Sequence, residues 1–530
     1  MACTYTLGMP EGRRVLVATL LASGMAFLMG SAVVVSLPAI QSHFQSSVSG
    51  IQWVVSAQLI ALTSLLLLGG ALGDRFGRRT VFMAGILVYS LGSGLSALSS
   101  GIWQLVAFQS LQGVGASLMI PQSLAIINGC FVEEQRGRVI GLWASMSGGI
   151  AAIGPWVGGW LVETATWRAV FVLPVPVGLV AVVTAVLFVP RIESATKGPI
   201  DWGGTVIMLL GLLAMSYALV VGPDSQWSGP GVVVAVIATP LLLLSFLVVE
   251  RRSSSPLVDF SIFRSRLVAG ANLVTLLLYF SLNGVILYLS LHLQQALGYE
   301  PARAGLSLLP PVVIITAFSG PAGALADKLG PRLQMIAGPF IVGIGVLTLT
   351  LAGPDAEYVR HVLPGLLLLG VGMALTIAPL TKSALSVDES LSGIASGVNN
   401  AVSRLAALLS VAVLGGVIVM SFSAELDDAL RAIPLSQDQR EGILAQSELL
   451  GALEIPMADD EPSREAAAMA VNTSLVKAFH DAMRVCAALC FLSAGVSWVL
   501  IRPRPGCPSP PDGLVGQCHP VPLVRVRSDD

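Results

Sequence analysis

Charge is scarce in this chain. Only 11% of its 530 residues are Asp, Glu, Lys or Arg, while 54% are hydrophobic. A soluble enzyme of ordinary composition is thereby excluded, since such domains carry about a quarter charged residues. Histidine is rarer still. His43, His292, His361, His480 and His519 fall in different segments, so no constellation for interfacial catalysis is expected and the chain is not expected to be an enzyme. The six cysteines (Cys3, Cys130, Cys486, Cys490, Cys507 and Cys518) form no C-x-x-C pair. Neither a metal site nor a disulfide framework follows, and Cys486 and Cys490 read as small apolar core residues on one helix face. A G-x-x-x-x-G-K-S/T loop is missing, as is any soluble stretch to hold a nucleotide, so an ATP-driven pump is disfavoured. No cofactor is expected. The net charge of −2 is uninformative about nucleic acid, which is not expected as a partner.

What the chain has in abundance is long apolar blocks. They do not alternate as strands would, which favours helical spans over a β-barrel. With about 20 apolar residues needed per crossing, 14 spans are predicted, near 15–38, 51–72, 80–99, 103–127, 138–162, 169–190, 203–222, 230–249, 268–291, 304–325, 333–352, 361–383, 393–421 and 478–501. The expected fold is an all-α membrane protein of two pseudo-symmetric six-helix bundles plus two inserted helices. A segment 1–14 precedes the first bundle, 15–190. The inserted pair occupies 203–249, and the second bundle, 268–501, includes a loop at 423–476. A proline-rich tail, 502–530, is expected to be disordered. Arg13-Arg14 before a long apolar run without an A-x-A site reads as an uncleaved first helix.

The duplication is written in one decapeptide. Gly70-Ala-Leu-Gly-Asp74-Arg75-Phe-Gly77-Arg78-Arg79 sits between the second and third spans, and Gly323-Ala-Leu-Ala-Asp327-Lys-Leu-Gly330-Pro-Arg332 repeats Gly70, Asp74, Gly77 and Arg79 at a constant offset of 253. Gly113-Val-Gly115 answers Gly370-Val-Gly372, and Gly137 with Gly141 answers Gly393 with Gly397. Two halves built alike are the sequence signature of a transporter. The glycines suit a tight reversal, and a carboxylate at the start of the next helix is favoured by the helix dipole and by arginine partners.

Short loops decide the orientation. With the N-terminus inside, sixteen Lys and Arg residues, among them Arg75, Arg78, Arg79, Arg136, Arg251 and Arg252, lie on the cytoplasmic side, against Arg168, Arg303 and Arg360 outside. The positive-inside rule selects that orientation. An even number of crossings then places both termini in the cytoplasm and the acidic segment 423–476 outside. That segment, with helical stretches near 424–433 and 440–453, is expected to be a solvated, partly ordered loop, with a lid over the exit as the alternative.

The decapeptide resembles the signature loop of the major facilitator superfamily at its usual place. Gly141 with Gly154-Pro155-Trp-Val-Gly158-Gly159 is similar to the helix-five antiporter motif of drug exporters. Trp167-Arg168-x-x-Phe171, Pro176-x-Gly178, Asp201-Trp202-Gly203, Pro256-Leu257, Gln294-x-x-x-Gly298 and Ala304-Gly305 extend the likeness to the fourteen-helix drug:proton antiporter family. This resemblance implies a secondary transporter of the cytoplasmic membrane, working by alternating access. It also implies multidrug efflux of drug-like or lipophilic small molecules, with protons as the coupling ion. Gly70, Asp74, Arg75, Gly77, Arg78, Arg79, Asp327 and Gly330 are the expected gating loops. Gly141, Gly154, Pro155, Gly158 and Gly159 are the expected hinge, the glycines leaving a flat strip for a neighbouring helix and Pro155 bending their own. The pattern also departs from the family. The usual acid of helix one is Met29 here, the usual arginine of helix four is Gln109, and Gln58 replaces an aromatic.

No carboxylate falls in the middle of a predicted span; Asp74, Glu163, Asp201, Asp327 and Asp481 are at span ends. Arg404 is the one charge placed at depth, and intramembrane charges mark function by default. A central cavity is expected to be lined by Gln58, Gln109, Gln112, Asn272, Asn283, Asn399, Asn400 and Arg404. Such an uncharged, amide-rich wall suits a lipophilic or amphipathic solute. Because the coupling residues are replaced, a facilitator without proton coupling and a transport-dead sensor or partner-binding relative stay open as alternatives.

Overall fold

A computed structural model describes residues 5–191, 201–223, 225, 227–253, 260–387, 392–453 and 461–501. The structure is nearly all helical, and 14 of its spans are long and apolar enough to cross a membrane. The first six are built from α1 (Pro10–Phe44), α2 (Val48–Phe76), α3 (Arg78–Ala97), α4 (Ile102–Cys130), α5 (Glu133–Thr164) and the consecutive pair α6 (Trp167–Val172) and α7 (Pro174–Phe188). Next come α8 (Trp202–Val221) and α9 (Pro230–Arg252). The last six comprise α10 (Arg266–Gln295), α11 (Pro301–Ser307) with α12 (Leu309–Leu329), α13 (Pro331–Thr348), α14 (Leu363–Ala384), α15 (Ser392–Arg431) and α17 (Glu461–Leu500), with a short α16 (Gln437–Leu444) before the last. The two broken spans are interrupted where Pro174 and Pro176, or Pro310 and Pro311, lack the N–H that an unbroken ladder requires.

Small residues decide which helices touch. In the first half α4 packs between α2 and α3, and a Cβ on Gly115 would lie 2.3 Å from the Tyr89 backbone nitrogen. In the second half α14 packs between α12 and α13, and a Cβ on Gly372 would lie 2.5 Å from the Gly338 carbonyl. Without a hydrophobic driving force between helices in lipid, such close backbone fits carry the association. The halves repeat in packing as they do in sequence.

The inserted pair lies outside the seam between the halves. α8 rests on α2 of the first half and α15 of the second, through Leu212 packed with Ile60 and Leu408. α9 packs on α8 and turns an apolar face outward: Val234, Ile237, Leu241 and Leu244 are more than half exposed.

The helices run past the apolar cores that hydropathy located. The expected loop 423–476 is absorbed at both ends, since α15 continues to Arg431 and α17 begins at Glu461. Hydropathy marks only the stretch in lipid, whereas a helix continues into water wherever side chains support it. Here Asp427 pairs with Arg431 (2.5 Å) and with Arg440, and Glu425 pairs with Lys477 (2.5 Å). The connecting 432–453 carries α16, started by a Ser436–Gln439 capping box, and a 3-10 turn, Ser447–Ala452. That turn packs on α1, α2, α15 and α17, with Leu450 buried. The expected tail 502–530 and the motif residues Pro256-Leu257 lie outside the described residues.

Candidate functional site

The basic decapeptide forms the end of α2 and the start of α3. Gly77 makes the reversal at φ +93°, a conformation costly for any residue with a Cβ, and Gly330 does the same between α12 and α13 at φ +80°. Asp74 lies in the last turn of α2 and not, as expected, at the start of the next helix; Arg78 reaches it across the reversal, donating from Nε and Nη2 to Oδ1 at 3.2 and 3.1 Å. Its Nη1 donates to the Ala125 carbonyl of α4 at 2.9 Å, and Arg79 donates to the Val186 carbonyl of α7 at 2.6 Å. The repeat copies the last of these: Arg332 donates to the Trp498 carbonyl of α17 at 3.2 Å. Asp327 falls in the last turn of α12. Arg75 stacks on the neighbouring Phe76, and a Cβ on Gly70 would meet nothing within 4 Å. Gln122 of α4, which sequence reasoning passed over, completes the clamp by donating to the Gly69 carbonyl at 2.8 Å over the space left by Gly73.

The glycine strip of α5 faces two neighbours. A Cβ on Gly154 or Gly158 would lie 2.6 Å from the Leu28 or Ala32 carbonyl of α1. One on Gly159 would lie 2.2 Å from the Pro301 carbonyl of α11, and one on Gly305 of α11 would lie 2.1 Å from the Pro155 carbonyl. So Pro155 and Gly159 sit where the halves meet. Gly141 is elsewhere on α5, where an added Cβ would meet nothing within 4 Å.

Between the halves is a cavity of about 230 Å³. Its wall comes from α1 (Ala26, Phe27, Gly30, Ser31, Val34), α2 (Val55, Gln58, Leu59, Leu62), α4 (Ala116, Ile120), α10 (Asn283, Ile286, Leu287) and α15 (Arg404, Ala407, Val411). Of the eight polar side chains expected there, Gln58, Asn283 and Arg404 are on the wall. The other five are not. Asn272 is buried and donates to the Val268 carbonyl at 2.9 Å, Asn399 accepts from Thr275 Oγ1 at 3.0 Å, and Asn400 is exposed. Gln109 and Gln112 share the face of α4 that carries Ala116 and Ile120, but two turns and one turn nearer its start, and both are fully buried. Their amide atoms have no hydrogen-bond partner among the described residues. Met29 is also fully buried and off the wall.

Beyond those glutamines, at the end opposite the basic loops, the halves are joined by side-chain amides. Gln41 Nε2 donates to the Leu449 carbonyl at 3.0 Å and Gln295 Nε2 to Gln41 Oε1 at 2.9 Å. Gln294 donates to the Val35 carbonyl at 3.1 Å, and Gln52, lying against Gly415, donates to the Val411 carbonyl at 3.1 Å and to Tyr288 Oη at 3.3 Å. Only Gln294 had any signal in the sequence, as part of a motif. The arrangement is a two-sided cavity closed at the end away from the basic decapeptide.

The family model described as Major Facilitator Superfamily matches residues 19–411. Puromycin resistance protein pur8 of Streptomyces alboniger is 33% identical over 426 residues, covering 79% of this chain and 84% of that protein. Tetracenomycin C resistance and export protein of Streptomyces glaucescens is 28% identical over 502 residues, 92% of each. Among solved structures, a bacterial homolog of the human lysosomal transporter Spinster, inward-facing and unoccupied, superposes with a TM-score of 0.64 at 17% identity, over 94% of this chain and 99% of that one; at that identity the likeness is one of fold.

Proposed function

The chain belongs to the major facilitator superfamily, a family of transporters, and on that premise we propose that it exports amphipathic small molecules by alternating access in exchange for protons. Its basic loops face the cytoplasm, as Lys/Arg-rich short loops do, and the membrane is the cytoplasmic one. The observation that carries the reading is the cavity whose wall is contributed by both halves, closed at the non-basic end by the Gln41, Gln52, Gln294 and Gln295 contacts. In that arrangement the site faces inward, ready to load from the cytoplasm. Rocking breaks the amide contacts at one end and brings the other together. The Asp74–Arg78 pair, with Arg78 on Ala125 and Arg79 on Val186, ties the ends of α2, α3, α4 and α7, so the first half moves as one body. Pro155 and Gly159 against Pro301 and Gly305 supply the contact about which it turns. Resistance and export are what the relatives' names record of those proteins; the same kind of cargo is proposed for this chain.

One observation favours a second reading, transport without proton coupling: among the described residues no carboxylate is on the cavity wall, where Gln58, Asn283 and Arg404 are the long polar side chains. Dye movement in proteoliposomes with and without an imposed pH gradient separates the two. Accumulation that requires the gradient supports exchange with protons. Movement down the dye's own gradient, indifferent to pH, supports the facilitator. No movement of any of several amphipathic dyes sinks the export reading and points to the transport-dead relative.

A further inference from the structure

Arg404 follows Ser392, the first residue of α15, by twelve positions, ~18 Å along the helix at 1.5 Å per residue. Arg404 thus falls within the membrane-spanning stretch Gly397–Arg431. Among the described residues on the cavity wall it is the only ionisable one. Its guanidinium lies 5.7 Å from the centre of the Phe27 ring, a contact from the second half to the first. None of the ion pairs among the described residues includes it. Two neutral polar groups on the wall are partly engaged: Ser31 Oγ donates to the Ala151 carbonyl at 2.7 Å and Asn283 Nδ2 to the Tyr279 carbonyl at 2.7 Å.

A guanidinium offers five N–H donors in a planar fork and keeps its charge. An aromatic face compensates only part of that charge. The side chain is half-buried, and a charge set among apolar walls without a counter-charge is poorly compensated. The wall therefore lacks one thing, an anion placed between Arg404 and the aromatic side.

Resting on the export reading above, we infer that the cargo carries an anionic head, a carboxylate or an acidic oxygen pair of similar geometry. It seats on Arg404 while an apolar body lies against Phe27, Val34, Leu59, Ile120 and Ile286. A cationic compound meets the arginine with no acid on the wall to offset it and is refused. Discrimination comes as much from that repulsion as from the attraction.

The test uses the full-length protein in phosphatidylcholine nanodiscs and three probes sharing one ring system: anthracene-9-carboxylate, its neutral methyl ester, and cationic 9-(aminomethyl)anthracene. Fluorescence titration should show the carboxylate binding at least about tenfold tighter than the ester, as a charge-assisted pair provides, and the amine weakest. Arg404→Gln should erase that preference and hold the ester within about twofold, while Arg404→Lys keeps part of it because a point charge replaces a fork. Retained ester binding certifies a folded cavity; should the variant lose the ester too, the ranking of the three probes by the unaltered protein decides. Equal or tighter binding of the amine overturns the inference, as does a carboxylate preference that survives Arg404→Gln. Ester and amine bound without preference for the carboxylate sinks the charge assignment alone. Failure of all three probes to bind removes the cavity as a cargo site and the charge assignment with it. In nanodiscs containing phosphatidylglycerol, a carboxylate preference that persists supports a cargo anion. One that vanishes assigns the counter-ion to a lipid headgroup and overturns the inference.

Discussion

Asp74 and Arg78 are 3.1 Å apart with side chains 47% and 28% exposed. A pair so open to water contributes at most ~1 kcal/mol to stability, so its value is positional. Asp74→Asn should leave the thermal melt of the purified protein nearly unchanged while lowering the transport rate at least about fivefold, the scale of a coupling between states; a proportionate loss of both would make the pair structural instead. Gln109 poses the reverse case. Its amide is fully buried with neither atom hydrogen-bonded among the described residues, a desolvation cost without return. Gln109→Leu should therefore stabilise the protein by about 1 kcal/mol, seen as a higher melting temperature in detergent. A lower one would show that the amide has a partner after all.

Helix α5 joins two kinds of contact along one strip. Gly158 fits against Ala32 within the first half, whereas Gly159 fits against Pro301 of the second. Their substitutions should part company. Gly158→Val forces α1 and α5 apart and should cost roughly 1–3 kcal/mol, read as a lower melting temperature. Gly159→Val should spare that half but loosen the closed end. A cysteine introduced by Gln41→Cys should then react at least about fivefold faster with an impermeant maleimide added from outside, the size of shift a modest change in the balance of states produces. Unchanged labelling would mean that Pro301 gives way without opening the end. The glycine pattern itself was legible in the sequence, because small residues at helical spacing announce a close approach. Which neighbour each glycine meets was not, since that depends on how α1 packs for Gly158 and on where the second half comes to rest for Gly159.

Across the whole molecule, the closed end rests on amides from both halves. Gln41 and Gln295 are joined side chain to side chain at 2.9 Å. In the double variant Gln41→Cys with Gln295→Cys, oxidation should abolish transport and reduction should restore it, while each single variant transports under both conditions. Transport that continues in the cross-linked protein would remove this end from the rocking motion. These glutamines carried little signal, because a glutamine near a helix end looks like any other solvated one. Gln109 and Gln112 illustrate the same limit from another side. Helical spacing puts them on the cavity's face of α4, yet depth along the helix, which periodicity does not measure, leaves them beyond the cavity in packed protein.

The number of spans, the repeat at offset 253, the reversals at Gly77 and Gly330 and the basic loops at one end were all determined by the sequence alone. Each rests on a local quantity: hydrocarbon length, a backbone angle that disfavours Cβ, or charge beside an apolar run. Only the tertiary structure decided which of the expected polar side chains share a cavity, that α8 bridges α2 and α15, and that the halves meet through glutamines at the non-basic end. Those outcomes are set by backbone fits summed over the whole bundle, and no window along the chain contains them.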